Sequence, residues 1–242
     1  MLKNHYPKPH SPINNQPTTT GIFMSLRAVF FDLDGTLLDT APDLGGALNR
    51  LLDVKGKTRI ADDIVRNEVS NGAYALIELG FGAKIGDQKT EALRQELLDI
   101  YTANIAVLTT AFPGIKNLIE KLASENILWG IATNKPWVYT EPLLKHFQFA
   151  SEPQCVICPE HVKTRKPDPE SLYLACEQAG CSIAEAVYIG DHERDIQCGQ
   201  RAEMTTIAAS YGYIADKNLV LQWGADYCVS SADEIWPILK TL

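Results

Sequence analysis

The sequence predicts an α/β fold, in which a Rossmann-like parallel sheet with helices on both faces carries an inserted all-helical segment. Short apolar runs alternate with helical patterns along most of the 242-residue chain, as is typical of parallel sheets. Several of these runs end abruptly at acidic residues, glycine or threonine. One stretch, from about residue 40 to residue 112, has helical periodicity only and contains no strand-like run.

The strands are predicted from apolar runs that stop at polar residues. The run 26–31 ends at Asp32, the run 127–132 ends at Thr133, and the run 186–190 ends at Asp191. Such runs are typical of buried strands that deliver their carboxyl ends to loops. Shorter apolar runs predict three more strands, near 155–158, 205–209 and 226–229. Helical patterns lie between them at 114–124 and 169–179, and another follows the last strand at 233–240. Ligands bind beyond the carboxyl ends of strands in such sheets, so we expect the site there.

Composition divides the chain into three parts. Residues 1–24 contain four prolines and lack the apolar stretch of a signal peptide; because they cannot bury a core, we expect a disordered arm. Residues 25–39 and 113–242 form the predicted sheet domain, and residues 40–112 form the helical insert. Within the insert, apolar residues recur at three- and four-residue spacing. Its helical patterns lie at 44–54, 60–67, 73–79 and 90–104.

Charge and composition argue against several classes of function. Charged residues make up 21% of the chain and the formal net charge is −8, which disfavours a binder of nucleic acid or of acidic membrane surfaces, because such binding needs clustered Lys and Arg. No apolar run is long enough to span a bilayer. The six cysteines are scattered, which together with the missing export signal favours the cytoplasm. We expect a monomer or homodimer that acts on a small molecule.

Asp32 and Asp34 form the most informative pair. Carboxylates two residues apart in an extended segment project the same way, and a divalent cation relieves their repulsion. Mg²⁺ prefers such oxygen ligands. One carboxylate can accept a phosphoryl group, while the other protonates the leaving alkoxide and then deprotonates the attacking water. Gly35 allows a tight turn, and exposed amides there can bind phosphate oxygens.

Polar residues after the later strands supply the rest of a phosphate site. The Thr133 hydroxyl can donate to a phosphate oxygen, and Lys166 can neutralise charge on the phosphoryl group and on the first aspartate. Asp191 is the natural third metal carboxylate, and Asp195 lies one helical turn further on. Lys135 is predicted to be a second cation beside the phosphate.

Three more residues complete the predicted substrate-binding set. Asn134 lies between the threonine and lysine that follow the second polar strand end. Asn71 and Gly72 lie between two helical patterns of the insert, where we expect a loop that faces the site. Each residue alone is weak evidence, because similar residues are common in helix caps and turns.

Four motifs occur together in the order Asp-x-Asp-Gly-Thr, Thr-Asn, Lys-Pro and Gly-Asp-x-x-x-Asp. In this combination the sequence resembles the haloacid dehalogenase superfamily, and residues 32–37 are a highly specific match to its first motif. The resemblance covers essentially everything from Met24 onward. It implies a HAD-like fold in which the helical insert is a mobile cap that closes over the substrate and excludes water.

The resemblance also implies roles for the motif residues. Asp32 is implied to be the nucleophile and Asp34 the general acid and base, with Thr133 and Lys166 binding the phosphate. Mg²⁺ is implied to be held by Asp32, by the backbone carbonyl of Asp34 and by Asp191. The carboxylate of the fourth motif's second aspartate, Asp195, is implied to assist.

Within the superfamily, four stretches resemble the phosphoglycolate phosphatases. They are residues 39–43, 133–136, 166–169 and 211–213. Three stretches are more similar to bacterial N-acetylmuramic acid 6-phosphate phosphatases, which act in peptidoglycan recycling. They are residues 157–163, 211–214 and 223–226. The resemblance therefore implies a magnesium-dependent phosphomonoesterase acting on N-acetylmuramic acid 6-phosphate, with 2-phosphoglycolate as the alternative substrate.

Three other functions of the same fold are alternatives. A dehalogenase needs no acid at position 34, so Asp34 favours phosphate chemistry. A phosphomutase shares the motifs and the cap, and it remains an alternative. A catalytically idle binding protein would be expected to have lost Asp32, Asp34, Lys166 or Asp191, and all four are present.

Overall fold

A six-stranded parallel sheet forms the centre of the structure, a computed structural model that describes residues 26–242. The described residues contain eight strands, of which six form this sheet and two, β2 and β3, form a separate ribbon. They are β1 (Ala28–Phe31), β2 (Leu38–Asp39), β3 (Thr110–Ala111), β4 (Leu128–Ala132), β5 (Val156–Ile157), β6 (Ala186–Gly190), β7 (Thr205–Ala209) and β8 (Tyr227–Val229). The sheet order is β5-β4-β1-β6-β7-β8, and every pairing within it is parallel. The predicted N-terminal arm lies outside the described residues.

Helices connect the strands and form the segment between β2 and β3. They are α1 (Ala41–Val54), α2 (Asp62–Glu68), α3 (Gly72–Phe81), α4 (Gln88–Thr102), α5 (Ile115–Ser124), α6 (Trp137–Leu144), α7 (Glu170–Ala179), α8 (Glu193–Arg201), α9 (Lys217–Val220) and α10 (Ile235–Leu239). Each of the six apolar runs that predicted a sheet strand contains a strand of the sheet, so the predicted α/β fold is confirmed. No helix of residues 26–242 combines the length and the apolar character that crossing a membrane requires.

Strand β1 lies between β4 and β6 and aligns their ends. Phe31 is in register with Ile131 on one side and with Ile189 on the other. All four residues of β1 are fully buried, as expected when helices cover both faces of a parallel sheet. The Asp32 N–H continues the ladder to the Ile189 carbonyl at 2.8 Å. The chains that leave these three strands therefore emerge side by side at one edge.

A short antiparallel ribbon joins the sheet to the helical segment. Leu38 pairs with Ala111 and Asp39 pairs with Thr110. The prediction that residues 40–112 contain no strand is therefore wrong at its end, where β3 lies. A two-residue strand has no periodicity of its own, and it exists here because both ends of the helical segment return to the same place.

The four helices of this segment pack on an apolar interior that continues into one face of the sheet. Leu48, Leu76 and Leu97 are fully buried, and they belong to the same apolar cluster as Val29 and Phe31. The predicted periodicity is seen in α4, whose buried side chains recur at three- and four-residue spacing. The helices between residues 41 and 102 thus share one continuous apolar cluster with the sheet.

Candidate active site

A cavity of about 400 Å³ opens between the carboxyl edge of the sheet and the helical segment. Its wall contains most of the predicted site residues, namely Asp32, Asp34, Asn71, Gly72, Thr133, Asn134, Lys135, Lys166 and Asp195. Gly35 and Asp191 lie behind this wall and are buried. The cavity also has residues that the sequence did not single out for the site, among them Arg165, His192 and Arg194.

Lys166 is the centre of a buried hydrogen-bond network on the floor of the cavity. Its Nζ donates to Asp32 Oδ1 at 2.8 Å and to Asp195 Oδ1 at 2.7 Å. It also donates to the Ala132 carbonyl at 2.9 Å and lies 2.7 Å from the Tyr188 hydroxyl. Burial by itself would lower the pKa of Lys166, but the two carboxylates outweigh it and the pKa is raised. The ammonium is therefore charged and held in place.

Asn134 holds the backbone of Lys166 from the opposite loop. The Asn134 amide donates to the Lys166 carbonyl at 3.1 Å, and its Oδ1 accepts the Lys166 N–H at 3.1 Å. These two bonds connect the loop after β4 with the loop before α7. The sequence predicted that Asn134 contacts substrate directly, and the structure gives it this positioning contact within the cavity wall.

Three carboxylates lie together beside this network. The side chains of Asp32, Asp191 and Asp195 each offer an oxygen within 4.8 Å of the others. Burial raises the pKa of Asp32 to about 6. The attraction of Lys166 opposes this rise, and the repulsion of Asp195 adds to it. Burial and the same neighbouring carboxylates raise the pKa of Asp191 well above its ordinary value. One ammonium against three carboxylates leaves excess negative charge, which a divalent cation with oxygen preference fits.

Asp191 is oriented from behind by the main chain and by a hydroxyl. Its Oδ2 accepts the Tyr213 N–H at 2.8 Å, and its Oδ1 accepts the Thr36 hydroxyl at 3.2 Å. A Cβ on Gly35 would lie 2.1 Å from Asp191 Oδ2, and one on Gly212 would lie 2.3 Å from Asp191 Cβ. Only glycine therefore allows these two segments to approach the carboxylate so closely.

The structure differs from the expectation that the Gly35 amide binds phosphate. Its N–H donates to the Leu38 carbonyl at 3.0 Å within the turn. Gly35 has a φ of +87°, which favours glycine. The physical reason for glycine here is the tight turn and the close approach to the buried aspartate behind it.

Asp34 is paired with a cation from the neighbouring strand end. Lys135 Nζ lies 3.0 Å from Asp34 Oδ1 and 3.4 Å from Oδ2, and the Thr40 hydroxyl also donates to Oδ1. The same ammonium lies over the Tyr101 ring of α4, 4.9 Å from its centroid. Burial alone would lower the pKa of Lys135, but Asp34 outweighs it and the pKa is raised. The sequence predicted a second cation beside the phosphate, and the structure places Lys135 in the cavity wall with its charge paired to a carboxylate.

Thr133 presents a hydroxyl group to the cavity. Its Oγ1 accepts the Lys135 N–H at 3.1 Å, which leaves the hydroxyl proton available to a ligand. Its own N–H donates to the Ile157 carbonyl at 2.9 Å, so the backbone position is set by the sheet.

Tyr188 and Arg194 belong to the site but were missed in the sequence. Tyr188 lies in the apolar run that predicted β6. A buried tyrosine hydroxyl needs a hydrogen-bond partner, and this need was the signal in the sequence that could have identified Tyr188. The Tyr188 hydroxyl donates to the Ala132 carbonyl at 2.8 Å. Arg194 lies inside the fourth motif, directly before Asp195, but nothing in that position of the motif marks its side chain as a cavity residue.

Comparisons with known proteins agree with this geometry. The family model of the haloacid dehalogenase-like hydrolases matches residues 29–209. The chain is 39% identical over 216 residues to the N-acetylmuramic acid 6-phosphate phosphatase of Pseudomonas aeruginosa, covering 89% of this chain and 96% of that protein. It is 34% identical over 210 residues to the phosphoglycolate phosphatase of Xanthomonas campestris pv. campestris, covering 87% and 95%.

Solved structures have the same fold. The crystal structure of a predicted phosphoglycolate phosphatase from Haemophilus somnus superposes with a TM-score of 0.76 at 21% identity, covering 88% of this chain and 97% of that chain. At that identity the likeness concerns the fold alone. The family match and the two sequence relatives confirm the family and the enzyme class that the motifs implied. The protein belongs to the haloacid dehalogenase-like hydrolases and is a phosphatase of that family.

Proposed function

We propose that this phosphatase hydrolyses N-acetylmuramic acid 6-phosphate through an aspartyl-phosphate intermediate on Asp32. The observation that carries the proposal is the placement of Asp32 in the cavity wall, with Lys166 at 2.8 Å and two further carboxylates beside it. The substrate is taken from the relative of 39% identity, whose name states it. Phosphoglycolate, named for several other relatives, is the alternative.

The first step transfers the phosphoryl group to the enzyme. Asp32 Oδ1 accepts from Lys166, so Oδ2 is the oxygen that attacks phosphorus. The bond between phosphorus and the substrate's alkoxide oxygen breaks, and Asp34 gives that oxygen its proton. Lys166 and the hydroxyl of Thr133 stabilise the charge on the phosphoryl oxygens, since both groups are held in place before the substrate arrives.

The second step returns the nucleophile to its starting state. Asp34 takes a proton from a water molecule, whose oxygen attacks phosphorus as the bond to Asp32 breaks and phosphate leaves. Lys135 and Thr40 both contact Asp34 Oδ1, and the contact of Lys135 with Oδ2 is the longer one at 3.4 Å. Oδ2 is therefore the oxygen that carries the transferred proton.

Mg²⁺ is the proposed cofactor. Asp32, Asp191 and the backbone carbonyl of Asp34 would hold it, with Asp195 assisting. The fit rests on three carboxylates within 4.8 Å of one another and on the pKa of Asp191, which burial and neighbouring carboxylates raise. When bound, the ion supplies positive charge that offsets these carboxylates and the phosphate.

The helical segment is proposed to be a cap, encoded by residues 40–112 between the two parts of a core at 25–39 and 113–242. Asn71 and Gly72 bring it to the cavity wall, where closure over a substrate would exclude water.

All six cysteines are free thiols, which supports a reducing compartment, and we assign the protein to the cytoplasm on that ground.

The test is phosphate release in the presence of Mg²⁺ from N-acetylmuramic acid 6-phosphate, 2-phosphoglycolate, and several hexose and nucleoside monophosphates. The muramic compound is expected to have the highest kcat/KM. A preference for phosphoglycolate, or equal rates throughout, would withdraw the muramic assignment and leave the phosphatase chemistry in place.

The intermediate has its own test. Acid-quenched turnover mixtures should contain a peptide with Asp32 whose mass is increased by one phosphoryl group. Asp32→Asn should release no phosphate, whereas the control Asp53→Asn, which changes an exposed carboxylate paired with Arg59, should keep full activity. Substantial turnover by Asp32→Asn would refute the covalent mechanism.

A further inference from the structure

Two arginines on the cavity wall have no carboxylate partner among residues 26–242. They are Arg165, which is exposed, and Arg194, which is half-buried. The other charged groups of the wall are matched: Lys166 pairs with the aspartates at its sides, and Lys135 pairs with Asp34. The cavity therefore contains positive charge beyond that which holds the catalytic carboxylates.

Arg194 lies across the boundary between the sheet and the helical segment. It occupies the first turn of α8, where its N–H donates to His192 Nδ1 at 3.2 Å. Its guanidinium donates to Asn71 Oδ1 at 3.1 Å, in the 3-10 turn Val69–Asn71 of the helical segment. The loop expected at residues 71–72 is instead the end of this turn and the start of α3. The partner is a neutral amide oxygen, and a guanidinium binds a carboxylate more strongly because charge assists the hydrogen bond.

The turn that Arg194 touches leads directly into helix α3, whose first residue, Gly72, lies on the cavity wall. The Gly72 N–H donates to the Val69 carbonyl, and no side chain caps the start of the helix. Such groups, together with the helix dipole, favour a negative charge. The two arginines and this helix start line the same cavity as Thr133 and Lys166, to which the proposed function assigns the phosphoryl group.

We propose that Arg194, assisted by Arg165, binds a carboxylate on the leaving group of the substrate. The enzyme then selects phosphomonoesters of acids over phosphomonoesters of neutral sugars. The inference rests on the proposed function, because it concerns the organic part of the same substrate. It makes Arg194 a specificity-determining residue rather than a participant in phosphoryl transfer.

The test compares two substrates that differ by the lactyl ether that carries the carboxylate. N-acetylglucosamine 6-phosphate is N-acetylmuramic acid 6-phosphate without the lactyl ether. The wild-type ratio of kcat/KM should favour the muramic compound, and Arg194→Gln should lower that ratio by about 10- to 100-fold, as expected for a lost hydrogen bond to a charged group. Arg194→Lys should lower it less, and Arg165→Gln should lower it by a smaller factor.

Arg50→Gln is the matched control, since Arg50 is exposed on α1 and outside the cavity wall; its ratio should stay at the wild-type value. Equal loss of kcat/KM on both substrates in Arg194→Gln and in Arg194→Lys would overturn the proposal, because Arg194 would then serve the phosphate or cap closure. A wild type without preference for the carboxylate would overturn it as well. A wild type that hydrolyses no phosphomonoester would instead refute the proposed function, and the inference with it.

Discussion

Replacement of the proposed nucleophile should make the metal-free protein more stable. Asp32 is buried, and burial is the main reason why its pKa is raised from the ordinary 3.8 to about 6. The attraction of Lys166 lowers the pKa, and the repulsion of Asp195 raises it further. An acid whose folded-state pKa is raised stabilises the fold below about pH 3.8, and that stability is lost as the pH rises through about 6. Asparagine imitates the neutral acid and does not titrate.

The size of the effect follows from these two pKa values. Relative to Asp32→Asn, the wild type should be less stable by about 0.5 kcal/mol at pH 4 and by about 3 kcal/mol at pH 8. The residue that performs the proposed chemistry would thus be retained at the expense of stability, as is common at active sites.

The assay is urea denaturation of both proteins at pH 4 and pH 8 with EDTA present, analysed by linear extrapolation. Mg²⁺ should reduce the difference at pH 8, because a cation beside the carboxylates favours their charged form. If Asp32→Asn were less stable than the wild type at pH 8 in EDTA, or if the difference did not change with pH, the reasoning from burial and charge would be wrong.

Three other substitutions test the positioning contacts of the site. Lys135→Met removes the cation beside Asp34, and kcat should fall between about tenfold and a hundredfold with a smaller change in KM; initial rates at saturating substrate measure this, and an unchanged kcat would contradict it. Asn134→Ala removes two hydrogen bonds to the backbone of Lys166, so urea denaturation should show a loss of about 1–3 kcal/mol, and full stability would disprove the contact. Gly212→Ala would place a Cβ 2.5 Å from Oδ2 of Asp191, a proposed Mg²⁺ ligand, so calorimetric Mg²⁺ affinity should fall, and wild-type affinity would argue against that metal site.

Much of the sheet edge could be predicted from the sequence. The apolar runs before Asp32, Thr133 and Asp191 each predicted a strand, and each is a strand of the parallel sheet. Parallel strands bring their carboxyl ends to the same edge, so the polar residues that follow them had to lie near one another. The helical periodicity of residues 41–102 could also be read directly, because a repeat of 3.6 residues is a local property.

Contacts between distant loops could not be predicted in the same way. Lys135 pairs with Asp34, which lies 101 residues earlier, although the sequence suggested a contact with phosphate. Arg194 meets Asn71 across 123 residues. No spacing rule relates such positions, since the pairing depends on how the helical segment and the loops after the strands meet above the sheet.

The sequence by itself determined the fold class, the edge of the sheet that carries the site and the motif residues that lie there, because local periodicity depends on neighbouring residues and parallel strands bring their carboxyl ends to one edge. The contact of Lys166 with Asp32 was also expected from the sequence. Only the tertiary structure decided that Lys135 faces Asp34 and that Arg194 has no carboxylate partner among the described residues. The physical reason is that charges within a cavity pair according to distance and burial, which folding sets and chain order does not.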